Sequence, residues 1–275
     1  MQFLVKLKRG STANIFPQTY QFQLSTALEK MLKGADMDSM LDIYGNQNNS
    51  RRVYPFTFSN LNFDYFKNDT THETITHIGD IACLDLRILV DDSTVDYVHH
   101  LLVGQKIGFV GTEGNVEYTI VELNEIPKLD FKEEMVYKTV SPLYLVNDIN
   151  TGEKEYISPD DNRYSMMFKK NLLKRFSSFF PELESIQHVE DYCPEIKFET
   201  LSNIQENDVV FQNNRGESTR FTAYNFDFKL RASPILQELG YYGGFGAQNM
   251  LGFGCVAIKS PSSFKQTFSG HHILS

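Results

Sequence analysis

Two tandem α+β units, each running β-α-β-β-α-β, are what this sequence predicts. Hydrophobic periodicity alternates between the two-residue repeat of a strand and the helical repeat in that order, twice over. Glycine, proline or a polar turn closes each segment. The length, 275 residues, suffices for one large domain or two of about 130 each.

In the first unit, Phe3–Leu7 reads as a strand, and after Pro17 the residues Leu24, Ala27, Leu28, Met31 and Leu32 fall at helical spacing, with Gly34 as the stop. Beyond the polar loop Asp42–Ser50, Arg52–Ser59 alternates as a strand does, and Ile81–Val90 gives another. Ser93 caps a short helix carrying Val95, Val98 and Leu102, with Gly104 after its end. Ile107–Val110 and Glu117–Glu122 close the unit as a hairpin. The second unit follows the same order: Val136–Val146 and Glu155–Ile157, helix Asn162–Phe180, then strands Glu195–Thr200, Val209–Gln212 and Arg220–Leu230. Pro234–Leu239 is a helix with proline in its first turn, and Leu251–Lys259 is the last strand. This is the ferredoxin-like (RRM-like) pattern in tandem, divided as 1–130 and 131–275. The halves share element order but no sequence repeat.

Hydrophobic residues at 41% and aromatics at 13% are enough for a packed core. No apolar run approaches the ~20 residues of a membrane span, and Met1–Gly10 is far short of a signal peptide, so a soluble cytoplasmic protein without membrane association is expected. Cys83, Cys193 and Cys255 form neither a zinc spacing nor a disulfide framework, and no metal or cofactor is expected. The net charge of −9 argues against a uniformly basic nucleic-acid binder. It leaves room for a local groove, because charges act over a Debye length of roughly 8 Å.

The segment Tyr241–Lys259 places Gly243, Gly244, Gly246, Gly252 and Gly254 within twelve residues. Such a loop can bring backbone N–H groups close to phosphate oxygens. It does not open a helix after a strand, as a dinucleotide fingerprint must, and it lacks the Gly-Lys-Ser/Thr of a nucleotide-binding loop. Leu251-Gly-Phe-Gly-Cys-Val-Ala-Ile258 is a near miss to an RNA-stacking strand, with Cys255 where an aromatic should sit. A glycine-rich turn before a packed edge strand fits the spacing equally well.

Gly244-Phe-Gly-Ala-Gln-Asn-Met-Leu-Gly-Phe-Gly254 resembles the C-terminal signature of the CRISPR-associated repeat endoribonucleases, the Cas-six family of the RAMP superfamily. Three further stretches resemble that family in the same order: Phe16-Pro17 with Tyr20–Lys33, Tyr54-Pro-Phe-Thr-Phe-Ser59, and Val140-Ser-Pro-Leu-Tyr144 followed by Phe168–Phe176. The resemblance implies two ferredoxin-like domains, CRISPR repeat RNA as partner, and metal-independent cleavage leaving a 2′,3′-cyclic phosphate and a 5′-hydroxyl. Other CRISPR effector subunits, or a second copy of the chain, are further partners it admits.

Cleavage of this kind needs a base, an acid and cations around the phosphate. The family's tyrosine, histidine and lysine positions fall here on Glu29, Asp42 and Tyr54, so the expected catalytic set is the nearby Tyr44, Arg51 and Arg52. RNA contacts are expected from Gly244, Gly246, Gln248, Asn249, Gly252 and Gly254, from Lys169, Lys170, Lys174 and Arg175 along one side of a helix, and from a hairpin carrying Arg215, Arg220, Lys229 and Arg231. A solvated helix face explains the basic run as well. His72 and His77 read as a solvated loop, and His99 as packed at a helix border. The resemblance admits an active endoribonuclease, a repeat-binding protein with weakened catalysis, or a non-catalytic effector subunit.

Overall fold

The computed structural model describes residues 1–32, 56–90, 95–111, 113–148, 154–179, 196–201, 204–212 and 218–259. Tyr44, Arg51, Arg52 and Arg215 lie outside them, as do Cys193, His188, His271 and His272.

Strand β1 (Gln2–Arg9) buries Phe3, Val5 and Leu7 and turns the alternate residues away from the core. It is the centre of an antiparallel sheet ordered β3-β7-β1-β9-β8, with β3 Phe56–Phe58, β7 Ile81–Ile88, β8 Lys106–Gly111 and β9 Gly114–Ile126. Helices α1 (Gln21–Leu32) and α2 (Val95–Leu102) contribute Leu24, Leu28, Leu32, Val98 and Leu102 to the core, at the spacing that keeps them on one face of each helix. The expected hairpin is present, with β8 added outside the four-strand ferredoxin-like order.

An accessory sheet, β2-β6-β5, not expected from the sequence, is built from β2 (Ile15–Pro17), β5 (Phe66–Asp69) and β6 (Thr74–His77). Its β5 and β6 follow the two-residue strand β4 (Asn62–Phe63), which pairs with β7. His77, expected in a solvated loop, is fully buried here, whereas His99, expected to pack, is exposed.

The second sheet repeats the order: β13-β16-β10-β17, with β10 Glu134–Thr139, β13 Lys197–Thr200, β16 Asp227–Arg231 and β17 Val256–Ile258. Helices α3 (Tyr164–Phe179) and α4 (Pro234–Gly243) cover it. Two hairpins extend from this unit: β11 (Val146–Asp148) with β12 (Lys154–Tyr156), and β14 (Gln205–Gln212) with β15 (Ser218–Asn225). Arg220–Leu230, expected as one strand, breaks at Phe226, whose N–H donates to Thr139 Oγ1 at 3.0 Å as the chain passes from β15 to β16. Lys229 and Arg231 therefore belong to the main sheet and not to the hairpin. Residues Asn249–Leu251, expected in or beside the last strand, form a 3₁₀ turn.

Candidate nucleic-acid interface

The glycine segment is packed far more tightly than a phosphate cradle would be. Gly244, Gly246, Gly252 and Gly254 have φ between +73° and +84° and are all buried. A Cβ on Gly254 would lie 1.9 Å from the Phe245 carbonyl oxygen, and one on Gly252 would lie 2.7 Å from the Phe58 ring. Glycine is required at both places by backbone conformation and by space. The N–H groups of Gly252 and Gly254 donate inside the fold, to Asn249 O at 2.8 Å and Pro142 O at 2.9 Å. The expectation that these two N–H groups face a ligand is corrected accordingly.

Asn249 closes the loop on itself. Its Nδ2 donates to Phe245 O at 2.9 Å and Phe253 O at 3.0 Å, tying together the Gly-Phe-Gly triplets on either side. Phe245 enters the second core between Phe168 and Phe228, while Phe253 packs with Tyr144, Phe211 and Phe221. Asn249 is thus a buried structural residue. Cys255 is also buried, its thiol pushed up to about 12 by desolvation, so the position that interrupts the RNA-stacking pattern faces the core.

The same segment latches the two units. Thr57 Oγ1 donates to Phe253 O at 3.0 Å, and the 3₁₀ turn packs against α1 and β3. Arg87, from β7 and 1% exposed, pairs with Asp85 at 2.7 Å, donates to the carbonyls of Val256 and Tyr241, and lies 3.9 Å over the Tyr241 ring. Tyr241 in turn donates to Gln2 Oε1 at 2.9 Å.

Helix α3 divides its cations. Lys170 and Lys174 are exposed and Lys169 is half-buried, and none has a carboxylate partner among the described residues. Arg175, expected beside them, points inward instead. Its position, seven residues after Phe168 and three after Leu172, places it on the apolar face. Its guanidinium donates to the carbonyls of Gly243 and Gly244, where α4 ends and the backbone acceptors have no helical partner. Burial lowers its pKa to about 10, which leaves it charged at neutral pH. On the β14–β15 hairpin Arg220 is exposed but pairs with Asp208 at 3.3 Å, next to Glu206 on the same face.

Gln248 stands apart from the rest of the loop. It is exposed, adopts φ 58° and ψ 32°, and its side chain makes no hydrogen bond to the described residues.

Buried polar chemistry is also found beneath the accessory sheet. His77 Nε2 lies 2.7 Å from Asp64 Oδ1 and His77 Nδ1 lies 2.6 Å from the Tyr118 hydroxyl. A neutral imidazole satisfies both, donating from Nε2 and accepting at Nδ1. Burial pushes His77 below its ordinary value despite Asp64. Burial also works against ionised Asp64, but hydrogen bonds from His77 and from the N–H groups of Ile81, Tyr65 and Asp80 outweigh it, and its pKa is lowered.

Two four-stranded antiparallel cores joined by a buried double Gly-Phe-Gly loop define a tandem ferredoxin-like α+β protein. Residues 124–258 match the family CRISPR associated protein Cas6, C-terminal. The chain is 26% identical over 245 residues, 88% of its length and 87% of the relative's, to "CRISPR-associated endoribonuclease Cas6 1" of Methanocaldococcus jannaschii. Among solved structures it resembles "CRISPR associated protein Cas6", with TM-score 0.64 and 22% identity over 94% of this chain and 99% of that one. It also resembles "An RAMP protein binding different RNA substrates", with TM-score 0.70 and 18% identity over 94% and 100%. Residues 124–258 thus carry a Cas6 C-terminal family domain, and the similarity to the curated relative extends over most of the chain.

Proposed function

We propose that this protein binds CRISPR repeat RNA and cuts the precursor transcript within the repeat. A ribose 2′-oxygen attacks the adjacent phosphate and the 5′-oxygen leaves, giving 2′,3′-cyclic phosphate and 5′-hydroxyl ends without a metal. The observation that carries this reading is the double Gly-Phe-Gly loop, built as a latch between two ferredoxin-like units, in a chain related over 88% of its length to a curated endoribonuclease. In this reading Tyr44 exchanges protons with the reacting oxygens, and Arg51 and Arg52 hold the charge that develops on the phosphorane. Lys169, Lys170 and Lys174 position the phosphates, with Arg215 and Arg220 on the hairpin as further contacts. The units divide near residue 130, and the protein works in the cytoplasm with effector subunits or a second copy as further partners.

Glu29, half-buried in α1 where the resemblance expects a tyrosine, favours a second reading: repeat binding without cleavage. Labelled repeat RNA incubated with the protein in EDTA separates the two. One cut with a cyclic-phosphate end supports the nuclease, tight binding without a cut supports the second reading, and neither would overturn the assignment.

A further inference from the structure

We infer that Gln248 reads a base of the repeat RNA, with adenine the fitting edge; this rests on the proposed function. Every neighbouring part of the loop is committed to the fold: the glycines are packed, Asn249 ties the two triplets, and Phe245 and Phe253 fill cores. Gln248 alone presents a free, exposed polar side chain. Its backbone at φ 58° is left-handed, a conformation disfavoured for a residue with a side chain, although glycine occupies that region at Gly246 and Gly252 on either side. A long amide at a strained position that glycine would fill with less strain marks a side chain kept for contact.

The chemistry of the amide narrows that contact. It is neutral, with one acceptor oxygen and two N–H donors, so it cannot neutralise a phosphate. The pattern matches the adjacent donor and acceptor of adenine, which glutamine engages with two hydrogen bonds. Single-stranded RNA exposes such edges. The lysines of α3 would then supply the salt-dependent part of binding and Gln248 a salt-independent, base-specific part.

The test measures affinity for the host's CRISPR repeat RNA over a range of salt, using wild type, Gln248→Ala and Gln248→Lys, and repeats carrying single adenine-to-guanine changes. Gln248→Ala should bind about tenfold more weakly with the same salt slope, and one adenine position should stop mattering to it. Gln248→Lys should lose the same base preference. A melting temperature within a few degrees of wild type confirms that both variants fold. Wild-type affinity in Gln248→Ala overturns the inference, as does tighter binding with a steeper salt slope in Gln248→Lys, the mark of a phosphate contact. Failure of wild type to bind the repeat overturns the proposed function and this inference with it.

Discussion

The glycine loop and the outer face of α3 were both expected to hold phosphate, and the structure separates them. In the loop the polar groups are largely spent on the protein: Asn249 bridges two carbonyls and the N–H groups of Gly252 and Gly254 are donated internally. On α3, Lys170 and Lys174 stand in solvent, without a carboxylate partner among the described residues, and Lys174 directly precedes the buried Arg175. A sequence signature can therefore mark an architectural joint, its glycines serving the fold and not a ligand. Lys174 and Arg175 show that a charged side chain's role is set by its angle around the helix, not by its neighbours in the chain.

The largest effect should come from the joint. Gly254→Ala puts a methyl group onto the Phe245 carbonyl at a left-handed φ and should cost about 3 kcal/mol or more, read by urea denaturation. A variant as stable as wild type would sink the claim that the loop is architectural. Asn249→Asp keeps the shape but faces two carbonyls with a carboxylate, and should destabilise by about 2–3 kcal/mol.

Arg175→Met should be cheaper than Arg175→Ala, because it removes a buried charge while keeping most of the volume, although both leave the end of α4 short of donors. A lower salt dependence of RNA affinity in Arg175→Met than in wild type would place that guanidinium at the ligand and break the contrast.

Acid sharpens the comparison from outside both regions. His77 has a folded pKa below its ordinary value of about 6.5, so the unfolded chain takes up the proton first. Its stabilisation is complete above about pH 6.5 and is lost as the pH falls below that. Asp64, also lowered, adds a further loss below about pH 4. His77→Phe should flatten the upper part of that stability profile. The smallest change in stability, within about 0.5 kcal/mol, is expected for the triple replacement of Lys169, Lys170 and Lys174 by alanine. Its signature is instead a drop of about 2 in the salt slope of RNA binding.

Element order in both units was legible because long strands such as β1, β8, β10 and β16 bury one face, and alternation reports that directly. The accessory sheet was not, since Phe66, Lys67 and Asn68 in β5 are all exposed and leave no alternation to read. Nor was the break at Phe226: buried Tyr224, Phe226, Phe228 and Leu230 alternate straight through it, and the interruption depends on a tertiary bond to Thr139. Arg175 was legible after all, at a heptad position with Phe168, but its charge drew it into the basic run. The glycines could be found from spacing, whereas their packing against Phe58 and Tyr144 requires the other elements. The catalytic residues expected in the segment after α1 lie outside the described residues.

The latch also has a timetable. Thr57 meets its acceptor 196 positions later, and Arg87 meets carbonyls 154 and 169 positions later. On a ribosome, the first unit is synthesised long before Tyr241, Phe253 and Val256 emerge. The guanidinium of Arg87 therefore waits with only Asp85 for company until nearly all of the described chain has been made. Closure of the joint must await those residues, and such distant pairings consolidate slowly.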